Sequence, residues 1–535
     1  MFNSTALNYA FSMLMTYLLS QFGQKYLWYN KRDDGTLKEP WAPSPKKLPF
    51  YVNAFNIFDK ESYHALTRWS KEVGEIFSVK IGQKHIIVLN NVELVRDCLI
   101  VNKQLFSSKL PSDTQESILT DKCKTVFSST FSVYWSRLRR AMYIVICGTY
   151  LSQFTQHFKA QAKKLSFGIG ESLRENNTLS GKELHQLVEM VAMDTALTLV
   201  VGDSVSVPRE PEAMLDLIQK VRVLEKRQSG KHNRRGQFFP SYNSLLDVVH
   251  LFKWDTALTG TRNQILEIFL PWFDPTYQKR REALAIVSEE EKQKVLLGDK
   301  LDCIAKSLLN IEPSQNDPEP VQLTKSEVLV NLIHTSLHAY TYLSATIYTL
   351  IQRLATEPEL QERLFQELAT EERDLAKAFV RESLRVDAPN RLLSYNSRTD
   401  YDFPVGDTKY RIDEGSPIVV NVDAIHNNPV YYPNPEKFDP DRYLKSDKKK
   451  TSLLEFGKVA GRKVVVDNLA FGAGSRMCLG LRASEGLLLS VLSQIVKQYK
   501  LKGGDVEDKV EFTTSIWSWT GRTETRGSFI EFIKR

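Results

Sequence analysis

The sequence predicts a mainly α-helical protein with small β-sheets, in which a single large domain follows an N-terminal membrane anchor. Three observations support this fold class. Most of the chain has apolar residues at the helical period, a short β-hairpin pattern opens the domain, and no linker, fixed repeat or low-complexity tract divides the 535 residues. The predicted organisation is an anchor at 1–30, a proline-rich hinge at 31–50 and one domain at 51–535.

Composition and cysteine usage exclude several classes. Hydrophobic residues make up 42% of the chain, which is enough for a large core and typical of a globular protein. The net charge of +7 is mild for this length and does not indicate nucleic-acid binding. Five cysteines without paired spacing do not form a disulfide framework and indicate a reducing compartment.

A glycine-rich loop with one cysteine precedes a long apolar helical pattern near the C-terminus. Its sequence, from residue 471 to 480, is FGAGSRMCLG. Glycines let the backbone approach a flat ligand, and backbone N–H groups around a sulfur stabilise a thiolate. We therefore interpret Cys478 as an axial ligand to a metal, iron. The alternative is a buried free cysteine in a tight turn.

This loop resembles the haem-binding signature of the cytochrome P450 family, Phe-x-x-Gly-x-Arg-x-Cys-x-Gly, at every fixed position. The resemblance implies the P450 fold, haem b (iron protoporphyrin IX) as cofactor, and a haem-binding catalytic domain at 51–535. A thiolate ligand pushes electron density onto the iron and favours O–O cleavage. The family pattern also assigns the other fixed positions to haem binding, which are Phe471, Gly474, Arg476 and Gly480. The wording of the loop is similar to that of fungal microsomal members, including those that hydroxylate phenylacetate-type acids.

The N-terminal segment predicts the location of the protein. Residues 2–24 carry no charge, and a run of this length can span a bilayer. Lys25, Lys31 and Arg32 follow without a cleavage site, so the positive-inside rule predicts a cytosolic domain. The resemblance to microsomal members implies that the membrane is that of the endoplasmic reticulum. A polar stripe leaves an interfacial or helix-pairing segment as the alternative. Its members are Asn8, Ser12, Thr16 and Ser20.

Short β-rich runs predict the small sheets. They are 76–82 and 85–89, which form a hairpin, and 513–519 and 528–533 near the C-terminus. The resemblance implies that residues 107–130 and 515–520 line the substrate pocket. Trp517 and Trp519 fit that pocket, and core packing is the alternative role for an aromatic residue in a strand.

A Trp-x-x-x-Arg pattern places Trp135 and Arg139 on one helix face. The resemblance implies that Arg139 and Arg476 bind the haem propionates, because a planar guanidinium suits a carboxylate. Arg391 is a third expected haem contact. The alternative for Arg139 is a solvated basic helix face.

Glu382 and Arg385, three residues apart, share one helix face. Taken alone, such a pair is usually a solvated ion pair. Downstream, residues 438–443 resemble the Phe-x-Pro-x-Arg segment of the family, whose arginine, here Arg442, joins the pair in a buried network. We interpret this network as structural support for the proximal haem face and not as catalytic.

The helix that should cross the distal haem face departs from the family pattern. Thr324 and Glu327 predict its beginning, and Pro358 its end. Family members usually carry Ala/Gly-Gly-x-Asp/Glu-Thr here, an acid and an alcohol that relay protons. Counting back from Pro358, the first two positions fall on His338 and Ala339, and the acid–alcohol pair falls on Thr341 and Tyr342. The acid is therefore missing.

We hypothesise that His338, with Thr341 or Tyr342, replaces the missing acid as a catalytic proton donor, because histidine titrates near neutrality. The spacing places His338 and Tyr342 on one helix face. Two alternatives remain open. His338 coordinates the iron and closes the site, or it packs in the core.

The resemblance implies NADPH–cytochrome P450 reductase as electron donor, with cytochrome b5 as a second candidate, a small apolar or aromatic substrate and a membrane surface. Lysines at 445–450 suit docking of an acidic reductase, and basic residues at 226–235 suit an anionic membrane. Solvated loops are the alternative for both. The segment between Pro358 and Glu382 is short for the family, which leaves reductase docking open.

Three function classes follow from these motifs. The first is a monooxygenase that inserts one atom of dioxygen with electrons from NADPH. The second is a haem-thiolate isomerase, dehydratase or peroxide-driven enzyme, which does not need the acid–alcohol relay. The third is a membrane-bound haem or sterol binder without turnover. Pocket residues diverge too freely in this fold for the sequence to name a substrate.

Overall fold

A computed structural model describes most of the chain between Lys38 and Arg535. The described residues are 38–45, 62–81, 84–109, 125–148, 150–173, 175–202, 209–228, 259–271, 273–278, 282, 302–311, 323–370, 372–444, 454–459, 462–466, 468–503 and 529–535. Several predictions fall outside this part of the chain. They are the anchor, the strand at 513–519, the turn at 515–520 with Trp517 and Trp519, the lysines at 445–450, and the basic segment beyond residue 228.

Helices form most of the molecule. The longer ones are α1 (Ser62–Val73), α4 (Val133–Ile146), α5 (Thr155–Ser172), α6 (Gly181–Val201), α7 (Pro211–Gln228), α9 (Lys325–Thr356), α10 (Pro358–Leu368), α11 (Asp374–Val386) and α13 (Leu481–Gln498). The short ones are α2 (Val92–Arg96), α3 (Lys103–Phe106), α8 (Ile304–Leu309) and α12 (Val422–His426). Residues 259–271 and 273–278 are also helical. The predominance of helix agrees with the predicted fold class.

Small β-sheets lie at the side of the helical body. A four-stranded sheet has the order β1 (Ile76–Ile81), β2 (Lys84–Leu89), β7 (Pro417–Asn421), β4 (Leu392–Asn396). A three-stranded sheet has the order β10 (Tyr499–Gly503), β11 (Phe529–Lys534), β3 (Thr178–Ser180). Two hairpins join β5 (Tyr401–Val405) to β6 (Thr408–Ile412) and β8 (Leu454–Val459) to β9 (Arg462–Val466). The predicted hairpin is confirmed as β1–β2, and the predicted strand at 528–533 as β11.

The largest core cluster is built around α9, which is buried along most of its length and packs against α6, α8, α11 and α13. Of the helices that the structure describes, only α6 has the length and apolarity to cross a membrane, and 83% of its apolar window is buried inside the protein. The apolarity of α6 therefore reflects core packing.

The predicted limits of the distal helix are confirmed. Thr324 accepts a hydrogen bond from the backbone N–H of Glu327, and the Glu327 carboxylate accepts one from the Thr324 N–H, which completes a capping box. The helix ends at Thr356, two residues before Pro358. Local chemistry thus fixes both ends of α9, a 32-residue helix that carries His334, His338 and Tyr342.

Candidate active site

The cysteine loop is held in one backbone conformation. The N–H of Cys478 donates to the carbonyl of Phe471 (2.8 Å), and the N–H of Met477 donates to that of Gly474 (3.1 Å). Gly474 has a φ of 66°, and a Cβ there would lie 2.2 Å from the carbonyl oxygen of Leu99. Only glycine fits this position, because any side chain would push the loop away from the short helical turn beneath it.

The Cys478 side chain has exposed surface although protein surrounds its thiol. This burial raises the pKa of the thiol. Three groups act in the opposite direction and stabilise a thiolate, namely the backbone N–H groups of Gly480 and Leu481 and the guanidinium of Arg139. A hypothetical Cβ at Gly480 would be 3.7 Å from the Cys478 sulfur, so the backbone passes close to it. Of the other cysteines that the structure describes, Cys98 and Cys303 are buried, and none is in a disulfide.

Two of the predicted arginines lie beside this loop. Arg139 donates to the carbonyl of Met477, next to the cysteine, and its guanidinium lies over the Trp135 ring at 5.5 Å. Arg476 lies over the same ring at 4.7 Å and donates to carbonyls that include that of Val126 (3.1 Å). The indole N–H of Trp135 donates to the same carbonyl at 3.0 Å. The indole therefore organises two cations beside the thiol.

A lysine that the sequence motifs did not identify lies near the same cations. Lys109 donates to the carbonyl of Ser394 (2.5 Å), and its ammonium lies 4.7 Å from the centre of the Tyr395 ring. Tyr395 is buried, which raises its pKa, and both Arg139 and Arg476 are close enough to act on it electrostatically. The neighbouring residue Ser107 accepts from Arg476, which places Lys109 at the edge of the same cluster.

The third predicted haem contact, Arg391, has other partners. Its guanidinium donates to the carboxylate of Asp423 (2.6 Å) and to the carbonyl of Val386 (3.2 Å), and it lies over the Tyr63 ring at 5.1 Å. These contacts tie the beginning of β4 to α1, α11 and α12. The structure therefore does not bring Arg391 together with Arg139 and Arg476, and a role at the haem stays a prediction.

These residues fit a haem. A porphyrin needs an accessible axial ligand, a backbone that approaches its plane closely, and cations for two carboxylates. The exposed thiol, the tight glycine loop and the cation cluster provide these features. Burial lowers the pKa of Arg139 to about 10, and the contacts of its guanidinium within the described residues are a carbonyl and an indole. A propionate would supply the anion that such a buried cation favours.

Aromatic rings cover the distal helix above the loop. His338 stacks on Phe127, with ring centroids 4.2 Å apart and planes 6° from parallel. His334 meets His338 edge-on at 5.1 Å, and Tyr342 lies 6.0 Å from His338 on the other side. Within a helix that is mostly buried, His338, Ala339 and Tyr342 are only partly buried. Thr341 is buried and lies beside this face.

The premise for His338 as an acid is corrected by its surroundings. Burial lowers its pKa well below the usual value, and His334 and Lys109 lower it further. Burial also lowers the pKa of His334 to about 4. Both imidazoles are therefore neutral near pH 7, whereas the sequence argument assumed titration near neutrality. A neutral imidazole still carries one N–H donor and one acceptor nitrogen, so a relay role remains chemically available.

Two loop contacts hold this distal face. The side chain of Asn331 accepts from the N–H of Val126 (2.9 Å), and His334 Nδ1 lies 3.4 Å from the hydroxyl of Thr125. That hydroxyl in turn lies 2.8 Å from the hydroxyl of Ser128. A line of polar groups thus runs from the 125–129 turn to His334 on the distal helix.

The structure brings Glu382, Arg385 and Arg442 together. Both oxygens of Glu382 accept from Arg385 at 2.8 and 2.9 Å, and Oε1 also accepts from Arg442 (3.1 Å) and from the N–H of Asp439 (3.0 Å). Glu382 is fully buried and Arg385 is 1% exposed. Because every charge in the set is paired and hydrogen-bonded, the network can persist in the core.

Several residues of the site were not found from the sequence. Phe127 and Lys109 lie at the two described ends of the predicted pocket loop, and the signal for Lys109 was a lone basic residue directly after a short hydrophilic run. Tyr395 and His426 carried no recognisable motif. Each of the four contacts residues that are far away in the sequence. Spacing rules do not predict such contacts.

Comparisons with known proteins agree with this geometry. A family model described as Cytochrome P450 matches residues 42–520. A (S)-1-hydroxy-N-methylcanadine 13-hydroxylase of Papaver somniferum is 23% identical over an alignment of 497 residues. This alignment covers 87% of this chain and 84% of that protein. A trans-cinnamate 4-monooxygenase of Glycine max is 22% identical over 476 residues, 86% of each chain. Cytochrome P450 monooxygenase 231 of Postia placenta is 21% identical over 527 residues, 90% of this chain and 88% of that one.

A solved structure is also similar. A zebra fish cytochrome P450 determined with progesterone superimposes with a TM-score of 0.64 at 18% identity, and the match covers 88% of this chain and 99% of that chain. At this identity the likeness concerns the fold.

Proposed function

Because this chain belongs to the cytochrome P450 family and is a haem-binding monooxygenase, we propose that it inserts one atom of dioxygen into a small apolar or aromatic molecule with electrons from an NADPH-dependent reductase. The observation that supports this substrate class is a cluster of aromatic rings beside Val126, the residue whose carbonyl accepts from Trp135 and Arg476. Phe127, His338 and Tyr342 form this cluster, and a flat apolar ring packs well against such faces.

The residues that would hold the haem are those around the thiol. Cys478 would ligate the iron, Arg139, Arg476 and Trp135 would hold the propionates, and Phe471, Gly474 and Gly480 would shape the loop. We add Lys109 to the propionate side in the place first expected for Arg391, whose charge is paired with Asp423. When bound, the haem supplies the oxygen-activating chemistry.

The chain itself must supply protons to the distal pocket. We propose that neutral His338 releases a proton from one ring nitrogen to the pocket while the other ring nitrogen accepts a new proton. The hydroxyl of Tyr342 or Thr341 is the proposed partner in this transfer. The line of polar groups from Ser128 and Thr125 to His334 ends beside His338 and would resupply the proton. Core packing of His338 against Phe127 is the alternative, and direct coordination of the iron is another.

The cellular setting belongs to the same proposal. The uncharged N-terminal run supports an endoplasmic-reticulum anchor with a cytosolic domain, of the fungal-like microsomal type. NADPH–cytochrome P450 reductase is the proposed electron donor, with cytochrome b5 as a second donor. Members of the family take electrons from a redox partner and bind small substrates. The proposal adds which reductase donates the electrons and which membrane holds the protein.

A second function is favoured by one observation. The distal helix has Thr341 where the family has an acid. A haem-thiolate isomerase, dehydratase or peroxide-driven enzyme does not need protons delivered for dioxygen scission. A binder without turnover is the third class.

Oxygen labelling tests the proposal. Full-length haem-loaded protein receives reductase, NADPH and labelled dioxygen over aromatic acids, beginning with trans-cinnamate, for which several relatives are named, and then over a cell lipid extract. We expect one labelled oxygen atom per product molecule, detected by mass spectrometry, and no product from the Cys478→Ala variant. Turnover without label would support the isomerase or peroxide-driven class. Intact haem without any turnover would support the binder.

A further inference from the structure

A buried histidine connects the Glu382 network to the cysteine loop. His426, the last residue of α12, is 1% exposed and lies between α11 and the residues that begin the loop. Its Nδ1 lies 2.9 Å from the carbonyl oxygen of Arg385, and its Nε2 lies 2.8 Å from the backbone nitrogen of Leu469. The Arg385 guanidinium returns a bond to the carbonyl of His426 at 2.9 Å.

These partners fix the tautomer of the imidazole. The N–H of Leu469 can only donate, so Nε2 of His426 accepts and carries no proton. Nδ1 must then carry the proton and donate it to the Arg385 carbonyl. Burial lowers the pKa of His426 to about 3, so the ring stays neutral, and both nitrogens are satisfied in that form.

The bonds continue from Leu469 to the thiol ligand. The Leu469 carbonyl accepts from the N–H of Gly472 (2.8 Å), and the Phe471 carbonyl accepts from the N–H of Cys478 (2.8 Å). Asn468 provides a parallel tie, because its amide donates to the carbonyl of Arg381 on α11 (3.2 Å) while its oxygen accepts from the Ala470 N–H (3.1 Å). The beginning of the loop is thus bound to α11 by two adjacent residues.

We propose that His426 is the positioning residue through which the Glu382–Arg385–Arg442 network sets the cysteine loop, and with it the Cys478 sulfur. The inference rests on the proposed role of Cys478 as the haem ligand. Among the described residues, the guanidinium groups of Arg385 and Arg442 contact Glu382, carbonyls of 433–437, the carbonyl of His426 and the Tyr432 ring, and none of these lies in the loop. The imidazole supplies the connection by accepting from the loop and donating to the helix.

Three substitutions separate the two arms of the imidazole. His426→Gln keeps an acceptor that can reach Leu469, His426→Asn keeps only a donor near Arg385, and His426→Leu removes both. The matched control is His85→Gln, because His85 also has a burial-lowered pKa, of about 4, but stacks on Trp41 in the hinge region. All variants are made in the full chain and loaded with haem.

The first readout is amide hydrogen exchange at Leu469, Gly472 and Cys478, which reports the loop without relying on catalysis. We expect protection to fall about tenfold to a hundredfold in the Leu and Asn variants, because a buried N–H loses its acceptor, and to be partly restored in the Gln variant. The second readout is the position of the Soret band of the reduced carbon monoxide complex. It should change from the thiolate-ligated to the thiol-ligated form in the same order.

Unchanged exchange at these amides in His426→Leu would overturn the inference, as would an equal loss in His85→Gln. If His426→Leu does not fold, the comparison of His426→Asn with His426→Gln gives the answer. Equal amide protection in these two variants would contradict a role for Nε2 as the acceptor from Leu469. The proposed function fails separately, through a wild-type protein without thiolate ligation. In that case the exchange result still measures the tie between His426 and the loop.

Discussion

His338 lies where the sequence argument expects a small residue, and its surroundings determine its chemistry. The ring stacks on Phe127, meets His334 edge-on and is neutral near pH 7. His338 is therefore not a charged proton donor at this pH. If His338 relays protons, it does so by accepting on one nitrogen and releasing from the other, which a phenyl ring of similar shape cannot do.

Replacing His338 with Phe should uncouple the enzyme. The phenyl ring keeps the stack on Phe127 but removes both nitrogens, so substrate binding should persist while product formed per NADPH consumed falls about tenfold or more. Product and peroxide yields measured beside NADPH consumption provide the test. Phe127→Leu is the control, since it disrupts the stack and leaves the imidazole in place. Unchanged coupling in His338→Phe would assign the ring to packing.

Removing the charge of Glu382 should destabilise the domain strongly. Glu382→Gln leaves the Arg385 guanidinium buried without its counter-ion, which costs about 3–5 kcal/mol. Glu362→Gln is a matched control, because Glu362 pairs with Arg535 on the surface at 3.1 Å and such pairs contribute about 1 kcal/mol or less. Chemical unfolding and haem content measure both variants. Equal losses of stability would contradict the buried-network argument.

Sequence spacing predicts contacts within one helix better than contacts between loops. Glu382 and Arg385 share a face because they lie three apart in α11, and Trp135 and Arg139 because they lie four apart in α4. Lys109 reaches Ser394, and His426 reaches Leu469, only because the fold brings distant segments together. Arg391 was placed at the haem by its approximate register, and Asp423, 32 residues away, binds its guanidinium.

At the scale of elements, the described part of the hinge is bound to the domain. Pro40 and Pro43 use their carbonyls to accept from the backbone N–H groups of Arg411 (2.8 Å) and Ser78 (2.7 Å). Between them, Trp41 stacks on His85 at 3.7 Å and receives the Arg411 guanidinium at 4.8 Å. Prolines cannot donate, so they suit an edge where only carbonyls are used.

Replacing Trp41 with Ala should loosen the contacts that bind residues 40–43 to the strands. In Trp41→Ala both ring contacts disappear, and we expect amide exchange at Ser78 to accelerate about tenfold because its acceptor on Pro43 is no longer held. Trp41→Phe is the control, since it keeps an aromatic face for His85 and Arg411. Exchange measured in full-length protein with detergent checks this. Equal protection in wild type and the Ala variant would show that the proline carbonyls hold residues 40–43 alone.

The limits of elements were predictable wherever local chemistry sets them. The capping box at Thr324 and the proline at 358 fix the distal helix from sequence alone, and alternating apolar residues fix the β1–β2 hairpin. The segment around Trp41 was predicted only as part of a proline-rich hinge. Its docking depends on His85 and Arg411, which lie in separate strands and carry no pattern that refers to the hinge.

At the scale of the whole molecule, the fold class followed from one motif and the helical period, whereas the electrostatic state of the core did not. Histidines in the sequence suggest titration near neutrality. In the structure, burial lowers the pKa of His334 and His85 to about 4 and that of His426 to about 3. The three rings lie at different places in the fold, so their protonation affects stability as a sum.

These lowered values predict that mild acid destabilises the domain. Between pH 6.5 and about 4 the unfolded chain binds protons that the folded chain does not, so the free energy of unfolding decreases as the pH falls through this window and is fully restored above it. His334 and His426 are both buried, and each should lower the free energy of unfolding by about 2 kcal/mol when the pH falls from 7 to 5. Carboxylates titrate mainly below this range, so histidines dominate the slope.

Urea unfolding of the haem-loaded protein at a series of pH values measures this slope. His334→Gln should flatten the pH dependence by about a fifth to a quarter, because it removes one of five described histidines whose pKa is lowered by burial, even though the stability of the variant at pH 7 also changes. Lys220→Gln is the control, since Lys220 forms an ion pair with Asp216 on the surface of α7, away from the buried histidines. A slope that is the same in His334→Gln and wild type would mean that the imidazole is solvated and charged in the folded protein, contrary to its burial on the distal helix.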